Sequence, residues 1–242
     1  MNSLTRRAAS PGRGASVFHL PALSLALALP AQSALVVDDF DDGPIVVVSS
    51  GTSSSDTVAA SVTGGFRSIT VEAQPSLGTS TAEVAPSGLP GLLDVANNIP
   101  PSRVTLLYDG DGAGLFGLGA GDFSGETRFE LAMATLQLPD PGDTLSASIR
   151  VTDADGDSSQ VTRVLGLPFV TPTSYFFNFA EYSGLVDFAR LDAIEVVFDS
   201  GDDDSLDFQV ERVEAVPEPS AFALLAGALI PFWLRRRRSG AS

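Results

Sequence analysis

Between residues 34 and 215, apolar side chains recur at every second position in short runs, and clusters of Gly, Asp, Ser and Pro separate the runs. A repeat of two places alternate side chains on opposite faces of an extended chain, whereas a buried helix face needs a repeat near 3.6. The clearest sets are Ile69/Val71/Ala73, Leu145/Ala147/Ile149/Val151, Tyr175/Phe177/Phe179, Ile194/Val196/Phe198 and Leu206/Phe208/Val210. Less regular strands are expected at 35–40, 45–49, 104–108 and 127–131, and the best helical stretch, 188–193, is short. Many short strands with turn clusters between them predict an all-β chain, an antiparallel β-sandwich or jelly roll occupying 34–215 as one domain. Two hairpins are expected, at 145–165 around Asp153-Ala154-Asp155-Gly156-Asp157 and at 193–213 around Ser200-Gly201-Asp202-Asp203-Asp204. Their Gly and Ser content makes 49–65 and 110–125 loops.

Charge divides the chain in the same places. Residues 34–216 hold 29 acids and 7 arginines, a formal −22, whereas 1–33 and 217–242 each carry +3. There is no cysteine, no lysine and one histidine, His19, so disulfide scaffolds, thiolate metal sites and cysteine nucleophiles are excluded. The acidic body also excludes nucleic acid as a partner, because binding its phosphates requires Lys/Arg to neutralise them. Residues 1–33 read as a secretory signal peptide: Arg6, Arg7 and Arg13, then the apolar run LPALSLALAL at 20–29, then small residues that favour cleavage after Ser33. Export through the translocase and signal peptidase removes His19, leaving no histidine base and excluding a Ser-His-Asp site.

The C-terminal segment 216–242 has three parts in order. Val216-Pro217-Glu218-Pro219-Ser220 precedes an apolar stretch over 221–234, and Arg235, Arg236, Arg237 and Arg238 come last. The prolines separate the acidic body from the apolar stretch, and an arginine block directly after an apolar segment stops transfer, holding that end on the cytoplasmic side. Fourteen residues rise only about 21 Å as a helix, short of a hydrocarbon core of roughly 30 Å, so the stretch suits a processing signal better than a lasting anchor. This tail resembles the PEP-CTERM sorting signal of exopolysaccharide-producing Gram-negative bacteria, also described as an ice-binding-protein C-terminal motif. The resemblance implies recognition of Pro217-Glu218-Pro219 by an exosortase-type enzyme and transient anchoring in the cytoplasmic membrane. It further implies release to the cell envelope, cell surface or extracellular matrix. Ice binding of the body is not implied, since a flat ice face needs regularly spaced Thr-x-Thr rungs and Thr79-Ser80-Thr81 fits only locally. A second resemblance lies in the body, where Asp38-Asp39-Phe40 and the closing Asp207-Phe208-Gln209-Val210 are similar to the galactose-binding-type jelly roll. It implies that the first and last strands pair.

The chemistry open to the body is that of oxygen ligands and carboxylates. Asp153, Asp155 and Asp157 begin like an EF-hand loop and give a candidate calcium site, although Ser158 stands where that loop needs Gly and Val164 where it needs Glu. The alternative for these and the other acidic turns is solvation and protection of strand edges. The glycine-rich 110–125 lacks the Gly-Lys-Ser/Thr ending of a phosphate loop. Extracellular polysaccharide is the natural partner for a matrix-located jelly roll, but the sole tryptophan, Trp233, lies in the tail, and Tyr108, Tyr175 and Tyr182 read as structural. The main expectation is therefore a non-catalytic exported surface or matrix protein with no obligatory cofactor. A secreted carbohydrate-binding or calcium-stabilised module is the alternative, and a carboxylate-dependent glycoside hydrolase the third reading.

Overall fold

A computed structural model of the chain describes residues 33–42, 45–51, 53–73, 78–84, 91–98, 101–203 and 205–217. Of the sorting motif, Val216 and Pro217 fall inside these residues. Glu218, Pro219, Ser220, Arg235 to Arg238 and the signal segment up to residue 32 lie outside them.

The described chain forms thirteen strands: β1 (Leu35–Asp38), β2 (Ile45–Ser49), β3 (Ser53–Ala59), β4 (Phe66–Ala73), β5 (Thr79–Val84), β6 (Leu93–Asn98), β7 (Ser102–Tyr108), β8 (Arg128–Gln137), β9 (Leu145–Asp153), β10 (Ser158–Leu165), β11 (Thr173–Asn178), β12 (Leu191–Asp199) and β13 (Asp207–Val216). They make two antiparallel sheets. One runs β11-β8-β13-β6-β5-β2 with β1 also on β13, and the other runs β10-β9-β12-β7-β4-β3. The expected all-β antiparallel sandwich is thus the fold, with one 3-10 turn at Phe179–Glu181 as the described helical element. Among the described residues no helix is long and apolar enough to cross a membrane.

The alternation seen in the sequence is the burial pattern. Ile69, Val71, Val104, Leu106, Ile149, Val151, Val196 and Phe198 from the six-stranded sheet face Phe129, Leu131, Met133, Phe208 and Val210 from the other. Residues between them point outward, as two facing sheets require. Two strands keep this phase only through bulges. In β12 the register shifts between Leu191 and Ala193, so Leu191 and Ile194 both face inward although they are three apart. In β13 a shift between Val210 and Arg212 does the same for Val210 and Val213.

The 145–165 hairpin forms as expected, with β9 and β10 paired from Leu145↔Leu165 to Thr152↔Ser158. The 193–213 hairpin does not. β12 pairs β9 and β7 in one sheet, while β13 pairs β8, β6 and β1 in the other, so the turn at 200–206 is an arch across the core. Both strands carry large apolar residues on one face, and stacking those faces buries more surface than pairing the strands edge to edge. Phe198 and Phe208 meet with ring centroids 4.8 Å apart. Residues 53–59 form β3, an edge strand on β4, rather than a loop. Residues 188–190 are a turn and 191–193 the start of β12, not a helix. The expected pairing of first and last strands is present, with Leu35 opposite Ala215.

Among the described residues the core holds one buried ion pair. Asp38 and Arg67 are both 0 % exposed; Arg67 Nε donates to Asp38 Oδ2 at 2.5 Å and its Nη2 to Oδ1 at 2.5 Å. The Tyr108 hydroxyl donates to Asp38 Oδ2 at 2.8 Å and the Phe40 N–H to Oδ1 at 2.8 Å. Burial opposes the Arg67 charge, but the hydrogen bonds and charge of Asp38 outweigh it and raise the pKa of Arg67. Burial, followed by the Asp38 charge, pushes the Tyr108 hydroxyl well up. This network ties β1 of one sheet to β4 and β7 of the other.

Candidate functional site

Across the outer face of the six-stranded sheet lies an open groove of about 550 Å³ on β4, β7, β12, β9 and β10. Strand register places its side chains in three rows. Ser68, Leu107, Glu195, Arg150 and Gln160 form the first; Thr70, Thr105, Val197, Ser148 and Thr162 the second; Glu72, Arg103, Asp199, Ser146 and Val164 the third. Neighbouring strands are about 4.8 Å apart, so a row of five spans roughly 19 Å. These residues alternate with the core residues of the same strands, which is why nearly every one is Ser, Thr, Gln or charged. Two smaller depressions continue the groove at its Arg103–Asp199 end. One of about 350 Å³ is lined by Glu72, Pro101 and Gly201, and one of about 470 Å³ by Thr144, Asp202 and Asp203.

The groove is polar without being uniformly charged. Arg103 donates to Asp199 Oδ2 from Nε at 3.0 Å and from Nη2 at 2.6 Å, and Glu72 lies 3.9 Å from its Nη1. The Asp199 hydrogen bond is the main reason that the pKa of Arg103 is raised. Asp199 is held from behind as well, accepting the Gly201 N–H on Oδ1 at 2.8 Å. Glu195, in the middle strand, makes no hydrogen bond or salt bridge among the described residues, and its electrostatic neighbour is Arg103. Arg150 stands beside it in register, but its Nη2 reaches the other way, to Ser158 Oγ at 3.4 Å. No lining side chain is aromatic. The groove therefore offers hydroxyls, an amide, one arginine already neutralised and one uncommitted carboxylate, with Arg150, which lacks an acidic partner, beside that carboxylate and Leu107 and Val197 as its apolar floor.

The residues singled out for calcium are not assembled as a metal site. Asp153 accepts the N–H groups of Asp155 and Asp157 on Oδ1, each at 3.0 Å, and that of Asp187 on Oδ2 at 2.9 Å. These bonds, the one from Asp187 foremost, hold its carboxyl below the usual range. Asp155 turns outward to Arg190 Nη1 at 2.9 Å, and Asp157 is exposed. Among the described residues no group of three acidic or histidine side chains converges to hold a metal ion. Asp153 organises the β9–β10 turn instead, because backbone N–H groups already occupy both of its oxygens.

The tyrosines are structural, as expected. Tyr108 lies in the core network, Tyr182 is buried beside Phe129, Phe179 and Phe188, and Tyr175 is half-buried against Phe169. Glu126, whose carboxyl is pushed up by burial, lies outside the groove in a separate depression of about 450 Å³ with Arg128, Asn178 and Glu181. Sequence reasoning did not single out the groove residues. Their signal was present as the polar half of each alternating strand, but which polar halves lie side by side depends on strand order.

No family model matches the chain, and no curated protein matches it. Solved structures similar to it include the family 11 carbohydrate-binding module of the cellulosomal cellulase Lic26A-Cel5E of Clostridium thermocellum. That similarity has a TM-score of 0.40 and 11% identity and covers 77% of this chain and 96% of the module. The module TmCBM61 in complex with β-1,4-galactotriose is similar with a TM-score of 0.32 and 9% identity, over 74% of this chain and 90% of that one. The agarase AgWH50C is similar with a TM-score of 0.39 and 10% identity, over 76% of this chain and 25% of the enzyme.

Proposed function

We propose that this chain is a non-catalytic exported surface or matrix protein whose sandwich is a carbohydrate-binding module, with the groove on the six-stranded sheet as its binding face. The observation that carries this reading is the groove itself: about 550 Å³, open along its length, with six serine and threonine residues in its lining. An extended glycan presents alternating hydroxyl donors and acceptors, and rows of hydroxyls at strand spacing meet them with either polarity. The non-catalytic part of the reading rests on the carboxylates. Arg103 neutralises Asp199 and attracts Glu72, and Glu195 and Asp199 lie four residues apart on one strand, about 13 Å, beyond the spacing of a glycosidase pair. The exported part rests on the order of parts in 216–238, with Pro217-Glu218-Pro219 as the motif an exosortase-type enzyme recognises.

Affinity electrophoresis of the full chain through soluble neutral polysaccharides tests the binding face. Retardation by at least one glucan or galactan, abolished by Thr105→Glu at the centre of the groove, is the expected result. Unimpeded migration through every polymer overturns it. Intact-mass measurement of the protein recovered from its host tests the processing. The expected mature form has lost 1–33 and the residues after the Pro217-Glu218-Pro219 motif, and recovery of either segment at the cell surface overturns it.

A further inference from the structure

Resting on the carbohydrate-binding reading, we infer that the groove selects glycans carrying free amino groups, with Glu195 as the residue that confers the preference. A groove without an aromatic platform gains little from stacking against sugar rings, so hydrogen bonds and charge must supply affinity. The groove's charges are nearly all committed. Arg103 is shared between Asp199, at 2.6 Å, and Glu72, at 3.9 Å, leaving that trio with one net negative charge. Glu195 adds a second. It lies between Leu107 of β7 and Arg150 of β9, and the Arg150 guanidinium is directed to Ser158. The groove thus presents a carboxylate with unused acceptor capacity and, with Arg150 exposed and bonded only to a neutral serine, keeps one net negative charge.

An anionic polysaccharide finds only Arg150 without an acidic partner and is repelled by a body of 29 acids and 7 arginines. A neutral glycan binds through the hydroxyl rows and can give Glu195 a hydroxyl donor but no opposite charge. A glycan with protonated amino groups uses both, because each ammonium donates three hydrogen bonds and pairs with the carboxylate in a groove half shielded from water. Opposite charge also concentrates such a polymer at the surface before docking. The ligand class is therefore a polyhydroxylated cation, such as a de-N-acetylated amino-sugar polymer.

Calorimetric titration of the full chain with three hexasaccharides, of glucosamine, N-acetylglucosamine and glucose in the same linkage, tests this at about pH 6, where an ordinary amine is protonated. The glucosamine hexamer is expected to bind at least tenfold more tightly than the other two, with the advantage shrinking in high salt. Glu195→Gln is expected to erase that advantage, bringing the three hexamers to equal affinity, and Glu195→Asp to restore part of it. Because Glu195 makes no hydrogen bond, an unchanged melting temperature for Glu195→Gln confirms that the variant is folded. Equal binding of all three, or a glucosamine preference that survives Glu195→Gln, overturns the inference and leaves the carbohydrate-binding reading standing. No binding of any hexamer overturns both. Equal retention of poly-L-lysine, also lost in Glu195→Gln, overturns the inference by showing that charge alone is read, not a sugar.

Discussion

Asp38 accepts four hydrogen bonds inside the sandwich, two from Arg67, one from Tyr108 and one from the Phe40 backbone. The last bond spans two residues and holds Phe40 at φ 56°, left-handed backbone that a bulky side chain otherwise avoids. Removing one partner of a buried ion pair leaves the other charged and unsolvated. Asp38→Ala is therefore expected to lower stability by about 3–5 kcal/mol in urea unfolding, and pairing Asp38→Leu with Arg67→Met to recover much of it. Asp153 acts near the surface by the same means, with backbone N–H groups as donors. Its folded pKa lies below the unfolded value, so its stabilisation is present above the ordinary carboxylate pKa of about 4 and is lost as pH falls through the folded value. Asp153→Asn is expected to cost about 1–3 kcal/mol at neutral pH, and the gap to the unsubstituted chain should close on acidification. A gap that persists at the lowest pH sinks this account. These roles were partly legible: Asp38 opened a recognisable pattern and Tyr108 read as structural. Arg67 did not, because an arginine one step before Ile69/Val71/Ala73 marks a strand end unless its partner from another strand is known.

Strands with large apolar residues on one face were legible, and strands with small ones were not. β5 buries Ser80, Ala82 and Val84, and β3 is exposed along most of its length, so neither shows an apolar repeat. They are strands because β6 and β4 beside them supply backbone partners. The arch between β12 and β13 has the same origin, since two alternating runs separated by a polar turn look alike whether they pair or stack. The 110–125 loop is packed as well as glycine-rich. Leu115 N–H donates to Asp192 O at 2.8 Å and Leu191 N–H to Gly121 O at 2.9 Å, fastening the loop across the bulge that begins β12. A Cβ on Gly121 collides with the Leu191 carbonyl oxygen and falls 2.8 Å from the Phe116 nitrogen, both backbone. Gly121→Ala is therefore expected to cost about 1–3 kcal/mol or more, read as a lower melting temperature. A neutral result means that the loop is not anchored there. Since the bulge sets which residues of β12 face the groove, the same substitution should also weaken any glycan binding that depends on Glu195.

At the scale of the molecule, 29 acids and 7 arginines in 34–216 make a body that repels itself. Raising ionic strength from about 0.01 M to about 0.5 M shortens the screening length from about 30 Å to a few ångströms, so the melting temperature is expected to rise with sodium chloride. A fall shows that specific ion pairs outweigh the repulsion. Pairing of Leu35 with Ala215 brings the two ends of the body together, away from the arch at 200–206. Fold class, the acidic body between two basic ends and the three-part tail were legible along the chain, because side-chain period, charge and motif order are local properties of it. That the 193–213 strands part company, that backbone N–H groups occupy the Asp153 oxygens, and that Thr105, Ser148 and Glu195 share one groove emerged with the packed fold. Each of these depends on which strands become neighbours, and neighbours are chosen by burying whole apolar faces against one another, a competition among all thirteen strands that no single stretch of sequence records.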